Sequence, residues 1–201
     1  RAVYQMGRAF ELENNPQRAI SFYGQIMQND LADAQIAPAA TLSLGLAHVK
    51  LKQFRQAVDV LGKFDLHYPD SPLSVEVHYQ LGVALVNLGD KDAARGRFQS
   101  IIDKHASDVF ADRSRVQLAL IYRDRKQFQT AIDTLGGIVS RRSDDIAAEA
   151  LLMIGDTYLI MKRTTDAMQA YNDVVRQYTD FPHMIDQARL GLGEAYERLR
   201  D

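Results

Sequence analysis

One spacing constrains this chain more than any other feature. A small residue closing an apolar pair returns as Gly7, Gly45, Gly82, Ala119, Gly155 and Gly193, at intervals of 38, 37, 37, 36 and 38 residues. Twelve positions after each of the first five stands an alanine: Ala19, Ala57, Ala94, Ala131 and Ala167. Large apolar side chains follow in the same frame: Tyr23 and Ile26, Leu61 and Phe64, Phe98 and Ile101, Leu135 and Ile138, Tyr171 and Val174. A chain that repeats one frame of this length folds as an array whose repeats pack mainly on their neighbours.

Each repeat holds two amphipathic stretches of roughly three to four turns, an ordinary length for packed helices. A Gly or Ala anchor facing the alanine of the second stretch would let the two axes approach closely. Aromatic groups three residues past the anchor (Phe10, Tyr122, Tyr158 and Tyr196) would fill the flanks. No segment of useful length has the period of a strand. The expected fold is all-α, a right-handed solenoid of helical hairpins with five complete repeats and a sixth first helix. It forms one array over 1–201, divided near 1–34, 35–71, 72–107, 108–143, 144–180 and a partial 181–201.

Local punctuation supports this division. Asn15 suits an N-cap and Pro16 the first helical position, where a missing N–H costs nothing. The second helix runs to about Asn29, the junction Asp30 to Pro38 is Ala-rich, and Pro38 belongs in or near the next first turn. The segment Phe54 to Asp65 reads as one helix. Pro69 stops it, and Ser71-Pro72 offers an N-cap and first-turn pair. Later turns are expected at Gly89-Asp90, Arg125-Lys126-Gln127 and Lys162-Arg163-Thr164.

The frame of Leu-Gly, an aromatic three residues on, then Ala and Phe or Tyr resembles the tetratricopeptide repeat. The resemblance covers nearly the whole chain. It departs at the usual Trp, replaced by Val3, Thr41, His78, Arg115 and Leu151, and at the closing Pro, kept only as Pro69. The period also exceeds the typical value of about 34. The junction Tyr68-Pro69-Asp70-Ser71-Pro72, with a period near 37, is similar to the bacterial envelope branch of the family. That branch includes the periplasmic partner of the Tol–Pal system and the lipoprotein of the outer-membrane β-barrel assembly machine. The likeness implies the bacterial periplasm or outer-membrane periphery.

Composition narrows the chemistry. Among 201 residues, 46% are apolar and the net charge is −2, so no global basic field attracts nucleic acid or anionic lipid. No apolar run approaches the roughly 18 residues of a membrane span. With no cysteine, thiolate chemistry and disulfides are excluded. The histidines (His48, His67, His78, His105 and His183) lack metal-ligand spacing. His48 reads as a packed core residue and the others as solvated. Asp144-Asp145 opens a helix, and no phosphate loop or nucleophile motif is present. No catalytic residue, metal site or cofactor is expected, and the chain does not read as an enzyme. The basic run Arg113, Arg115, Arg123, Arg125, Lys126, Arg141 and Arg142 is interleaved with Asp112, Asp124 and Asp133, so it reads as a solvated helix surface. The chain begins within a helical pattern and ends after a lone first helix, as an excerpt would.

The resemblance also implies where a partner binds. In a tetratricopeptide array the first helices line the concave wall, at positions three before, one after, and four or five after the anchor. Here these are Leu42, Leu46, Val49 and Lys50, then Tyr79, Val83, Val86 and Asn87. Next come Val116, Leu120, Arg123 and Asp124, and Leu152, Asp156, Leu159 and Ile160. The first repeat supplies Tyr4, Arg8, Glu11 and Leu12. The mainly apolar set does not suit the clamp on a terminal carboxylate used by chaperone-binding members. It suits an amphipathic helix or an extended apolar segment of another protein. The competing expectation is that several of these residues pack on neighbouring helices. Self-assembly through the apolar side of the sixth helix, around Leu190, Leu192 and Tyr196, is the second functional expectation. RNA binding through the 113–142 basic run is the third.

Overall fold

The computed structural model describes residues 1–28 and 36–200, so the expected junction Asp30 to Pro38 lies mostly outside the described residues. Twelve helical segments and no strand occur among the described residues. The fold is all-α and of solenoid type. It falls into two compact units, Arg1–His105 and Ala106–Asp201.

The N-terminal unit contains α1 (Ala2–Leu12), α2 (Pro16–Gln28), α3 (Ala37–Lys50), α4 (Phe54–Leu61), the single turn α5 (Phe64–His67), α6 (Ser74–Leu88) and α7 (Lys91–Lys104). Successive helices pack as hairpins, and α3 also touches α6. The C-terminal unit contains α8 (Val109–Asp124), α9 (Phe128–Val139), α10 (Asp145–Ile160), α11 (Thr164–Gln177) and α12 (Pro182–Arg198). Here α10 touches both α8 and α12, so first helices stack on first helices. Five hairpins and a lone first helix match the expected repeat count.

The turn inside every hairpin follows one rule. Seven residues past the anchor the chain enters the left-handed region, at Asn14, Lys52, Gly89, Lys126 and Lys162, with φ of 57, 58, 94, 59 and 60°. The next residue donates its N–H back five positions, as in Asp90 N to Leu85 O and Gln127 N to Tyr122 O, both 2.9 Å. The left-handed residue itself donates three positions back, as in Lys126 N to Arg123 O at 2.9 Å. This double bond pattern closes the first helix and satisfies its last carbonyls. Only Gly89 adopts that backbone without a Cβ in the way.

The anchors work differently from the expectation. A Cβ built on Gly7, Gly82 or Gly155 meets not the facing alanine but the ring sixteen residues on: Tyr23 Cε1 at 2.5 Å, Phe98 Cε1 at 2.5 Å and Tyr171 Cε1 at 2.6 Å. Gly45 meets Leu61 in the same way. The glycine therefore makes room for a bulky side chain of the second helix, which is sealed from solvent: Tyr23 is 0%, Phe98 0% and Tyr171 1% exposed. In the sixth helix the ring contact moves to Gly191, which meets Tyr171 Cζ at 2.5 Å, while Gly193 has nothing within 4 Å. Tyr171 is thus held between two glycine-bearing helices, α10 and α12.

Side-chain caps mark four helix starts, those of α2, α7, α8 and α10. Asn15 Oδ1 accepts from Arg18 N, Asp90 from Ala93 N, Asp108 from Phe110 N and Asp144 from Ala147 N. Pro38 and Pro182 sit in first turns. Two expectations fail. The segment Phe54 to Asp65 is broken at Gly62-Lys63, where glycine's low helix propensity ends α4 and the chain restarts as α5. Ser71 does not cap α6. It makes a tighter turn, accepting from Leu73 N on its side chain and from Ser74 on its carbonyl, and α6 begins three residues later.

Candidate functional site: the first-helix face

The expected inner positions separate by burial. Leu42, Val116 and Leu152, three residues before their anchors, are 7, 4 and 6% exposed and belong to the core. Their side chains are taken up by packing, which is the competing expectation stated above. The positions one and four past the anchor remain partly open. In the N-terminal unit these are Leu46 and Val49 on α3 and Val83 and Val86 on α6, all half-buried, with Tyr79 beside them. Because α3 packs on α6, the four aliphatic residues lie on two adjacent helices at matching positions. The Tyr79 ring lies 5.9 Å from that of Phe98.

In the C-terminal unit Leu120 and Arg123 are half-buried on α8, whereas Asp156 and Ile160 on α10 are exposed and Leu159 is buried. Asp156 already has a partner, since Tyr171 Oη donates to its Oδ1 at 2.7 Å. An equivalent bond joins Tyr23 Oη to Glu11 Oε2 at 2.7 Å in the first repeat. Burial and these carboxylate partners push both phenols above the usual tyrosine range.

Two concavities lie among the described residues of the N-terminal unit, one of them against this face. One, of about 170 Å³, lies between the end of α1 and α3 and is lined by Glu11, Pro16, Leu46, Ala47 and Lys50. A larger one, of about 490 Å³, is open and lies at the proline-rich junction against Pro38, Tyr68, Pro69, Pro72 and Leu73. The sequence marked that junction as a break and as the point of likeness to the envelope branch, but not as a hollow. Its curvature comes from rigid proline rings around Tyr68, which packs on Phe64 with centroids 5.1 Å apart.

The basic run divides: Arg113, Arg125 and Lys126 are exposed, as expected of a solvated surface, but Arg115, Arg141 and Arg142 converge on one carboxylate. Asp112, 4% exposed, accepts from Arg115 Nη1 at 2.7 Å, Arg141 Nη2 at 2.9 Å and Arg142 Nη1 at 3.1 Å. Arg142 also pairs with Asp144, the cap of α10. That pairing holds the Asp144 carboxyl below its usual range and the Arg142 guanidinium above its own. These arginines are committed to tying α8, the end of α9 and the start of α10 together. Two histidines also differ from expectation. His48 is half-buried, with Nδ1 2.7 Å from Gln53 Oε1 in the turn. His78 Nε2 lies 2.6 Å from Asp65 Oδ2, which fastens α5 to α6. Among the described residues there is no group of three or more His, Cys, Asp or Glu that could hold a metal, and no helix long and apolar enough to cross a membrane.

Fold and face together define a helical-hairpin repeat module with a partly open apolar strip on its first helices. The chain belongs to the tetratricopeptide repeat-like domain family, whose model matches residues 12–187. No curated protein matches it. Among solved structures it is similar to the nearly identical TPR-like repeats of a putative kinesin light chain from Podospora anserina. That likeness has 17% identity and a TM-score of 0.72, covering 90% of this chain and 95% of the other. MamA from Desulfovibrio magneticus is 15% identical with a TM-score of 0.71, covering 89% and 94%. YrrB, described as a TPR protein with an unusual peptide-binding site, is 18% identical with a TM-score of 0.63, covering 93% and 90%. At these identities the likeness is one of fold.

Proposed function

We propose that this chain is a non-enzymatic interaction module that binds a segment of another protein along its first-helix face. The observation that carries this reading is the strip Leu46, Val49, Val83 and Val86. These aliphatic side chains stay partly open while their neighbours Leu42, Leu44 and Leu81 are sealed. Half-open aliphatic groups on adjacent rigid helices gain from covering by an apolar partner surface, and rim charges then set its register. In the C-terminal unit Leu120, Arg123 and Asp156 are the matching contact residues. The peptide-binding site of YrrB, a protein of similar fold, supports this class of ligand. The Tyr68–Pro72 junction and long period favour the bacterial periplasm or outer-membrane periphery as the setting.

The test compares the wild type with the double variant Val83→Asp, Leu120→Asp in partner capture, with helical content followed by circular dichroism. Loss of capture at unchanged helicity supports the face as the site, and retained capture refutes it.

A second reading, self-assembly, is favoured by Leu190 and Tyr196 on α12, 76 and 55% exposed, whereas Leu192, the third residue expected there, packs on the core. Its measure is light scattering, where a monomer mass that does not change with concentration removes it.

A further inference from the structure

We infer that the open hollow at the Tyr68–Pro72 junction is a binding site for an arginine side chain carried by an extended segment of a partner protein. None of its lining residues belongs to the aliphatic strip on the first helices, so the site is separate from the first-helix face.

The hollow of about 490 Å³ is walled by Pro38, Tyr68, Pro69, Pro72 and Leu73, with Asp70 and Ser71 as its polar groups. That is the size and make-up of a ligand site, mostly apolar with a few polar groups that fix orientation. The chain itself holds a filled counterpart. The frame Tyr-x-Asp-x-Pro returns as Tyr178-Thr179-Asp180-Phe181-Pro182. Both junctions make the same turn, with Ser71 N donating to Tyr68 O at 3.2 Å and Phe181 N to Tyr178 O at 3.1 Å. At the later junction Phe181 packs on the core and Tyr178 is 3% exposed. At the earlier one Ser71 holds the phenylalanine's place, and Tyr68 stays half-buried beside the hollow. A bulky side chain that one junction supplies from within is missing from the other.

The surroundings are negative. Asp70 is exposed and has no hydrogen bond or ion pair among the described residues. The nearby carboxylate Asp65 is instead taken by His78 Nε2 at 2.6 Å. The two stretches that frame the hollow, 19–49 and 64–90, contain no lysine or arginine, although the chain has 24. Lys50 stands at the far end of α3 from Pro38, about 18 Å away by helical rise. Lys63 opens α5 and Tyr68 closes it, and His67, in ring contact with Tyr68, is the remaining base. An incoming cation therefore meets an unpaired carboxylate and no lysine or arginine in the lining. Arginine suits this site best. Its planar guanidinium stacks on a tyrosine ring and holds a carboxylate with two N–H donors, while its methylenes lie along proline rings. An acidic segment is repelled from the same place.

The experiment is selection of random heptapeptides displayed on phage against the whole chain at pH 8, run in parallel on the Ser71→Phe, Asp70→Asn and Val83→Asp variants. All are checked for helical content, and recovered peptides are titrated by fluorescence anisotropy. Ser71→Phe gives this junction the residue that the later one carries. The wild type is expected to enrich arginine-containing peptides whose affinity falls about tenfold in Asp70→Asn, the worth of one charge-assisted bond. Their binding is lost in Ser71→Phe and unchanged in Val83→Asp. Should Ser71→Phe lose helicity, Asp70→Asn decides the outcome. Arginine peptides that bind Ser71→Phe or Asp70→Asn as tightly as the wild type overturn the inference. Peptides that need Val83 but not Ser71 overturn it while supporting the first-helix face. Absence of arginine among the recovered peptides, or of any enrichment, overturns it as well.

Discussion

Asp112 and Arg142 stand thirty positions apart and meet through a 3.1 Å hydrogen bond from Nη1 to Oδ2. Arg142 spends its other donors on Asp144, so one guanidinium links the start of α8 to the cap of α10. Arg115 and Arg141 complete the coordination of Asp112. The mouth of the fourth hairpin is thereby tied to the opening of the fifth. Asp112→Ala leaves the half-buried Arg115 without its acceptor and Arg142 with Asp144 alone, a loss of about 3 kcal/mol by the usual cost of breaking a buried pair. Urea denaturation checks it, and a change under about 0.5 kcal/mol would mark the network as ornamental.

The anchor glycines divide into filled and empty sites. A methyl added at Gly82 collides with the Phe98 ring at 2.5 Å, while one added at Gly193 meets nothing within 4 Å. Gly82→Ala is expected to destabilise by about 1–3 kcal/mol through overpacking. Gly193→Ala is expected to stabilise by up to about 1 kcal/mol through helix propensity. Thermal melts of the two variants should move in opposite directions.

Ser114 sits, fully buried, five residues before its anchor, and its hydroxyl has no hydrogen-bond partner. The same position elsewhere holds Ala40, Val77, Ala150 and Ala188, each 0% exposed. Ser114→Ala removes an unpaired buried hydroxyl at a position other repeats fill with alanine or valine, and should stabilise by about 1 kcal/mol. An unchanged or lowered urea midpoint would contradict this.

Tyr23 and Tyr171 predict the alkaline behaviour. Both phenols are held protonated in the folded state by burial and by Glu11 or Asp156. A raised folded-state value means that the folded chain keeps protons the unfolded chain releases. The stabilisation is complete below about pH 10 and declines as pH rises from there toward the folded value. The double variant Tyr23→Phe, Tyr171→Phe should therefore lose stability less steeply than the wild type above pH 10. Equal slopes in urea midpoints from pH 8 to 11 would refute the coupling.

The sequence by itself determined what depends on neighbours in the chain. The frame of anchor, alanine and bulky residue specified helical hairpins and their number. Asn15, Asp90 and Asp144 announced their helix starts, because a cap bonds to an N–H only three residues away. The half-burial of Leu46, Val49, Val83 and Val86 follows the repeat frame, since each stands one or four positions past an anchor.

Tertiary structure decided what depends on distance through space. It sealed Leu42, Val116 and Leu152 while leaving Leu46 and Leu120 partly open, since burial depends on which helix lies opposite and not on periodicity. It turned three members of the basic run into a network, because Arg141 and Arg142 reach Asp112, beside Arg115, only once the hairpin has closed. The ring of Tyr171 went to Gly191 in place of Gly193, where the frame had set the last anchor. Helical spacing is set within a few bonds, whereas each of these pairings is set by how close packing seats one helix on another.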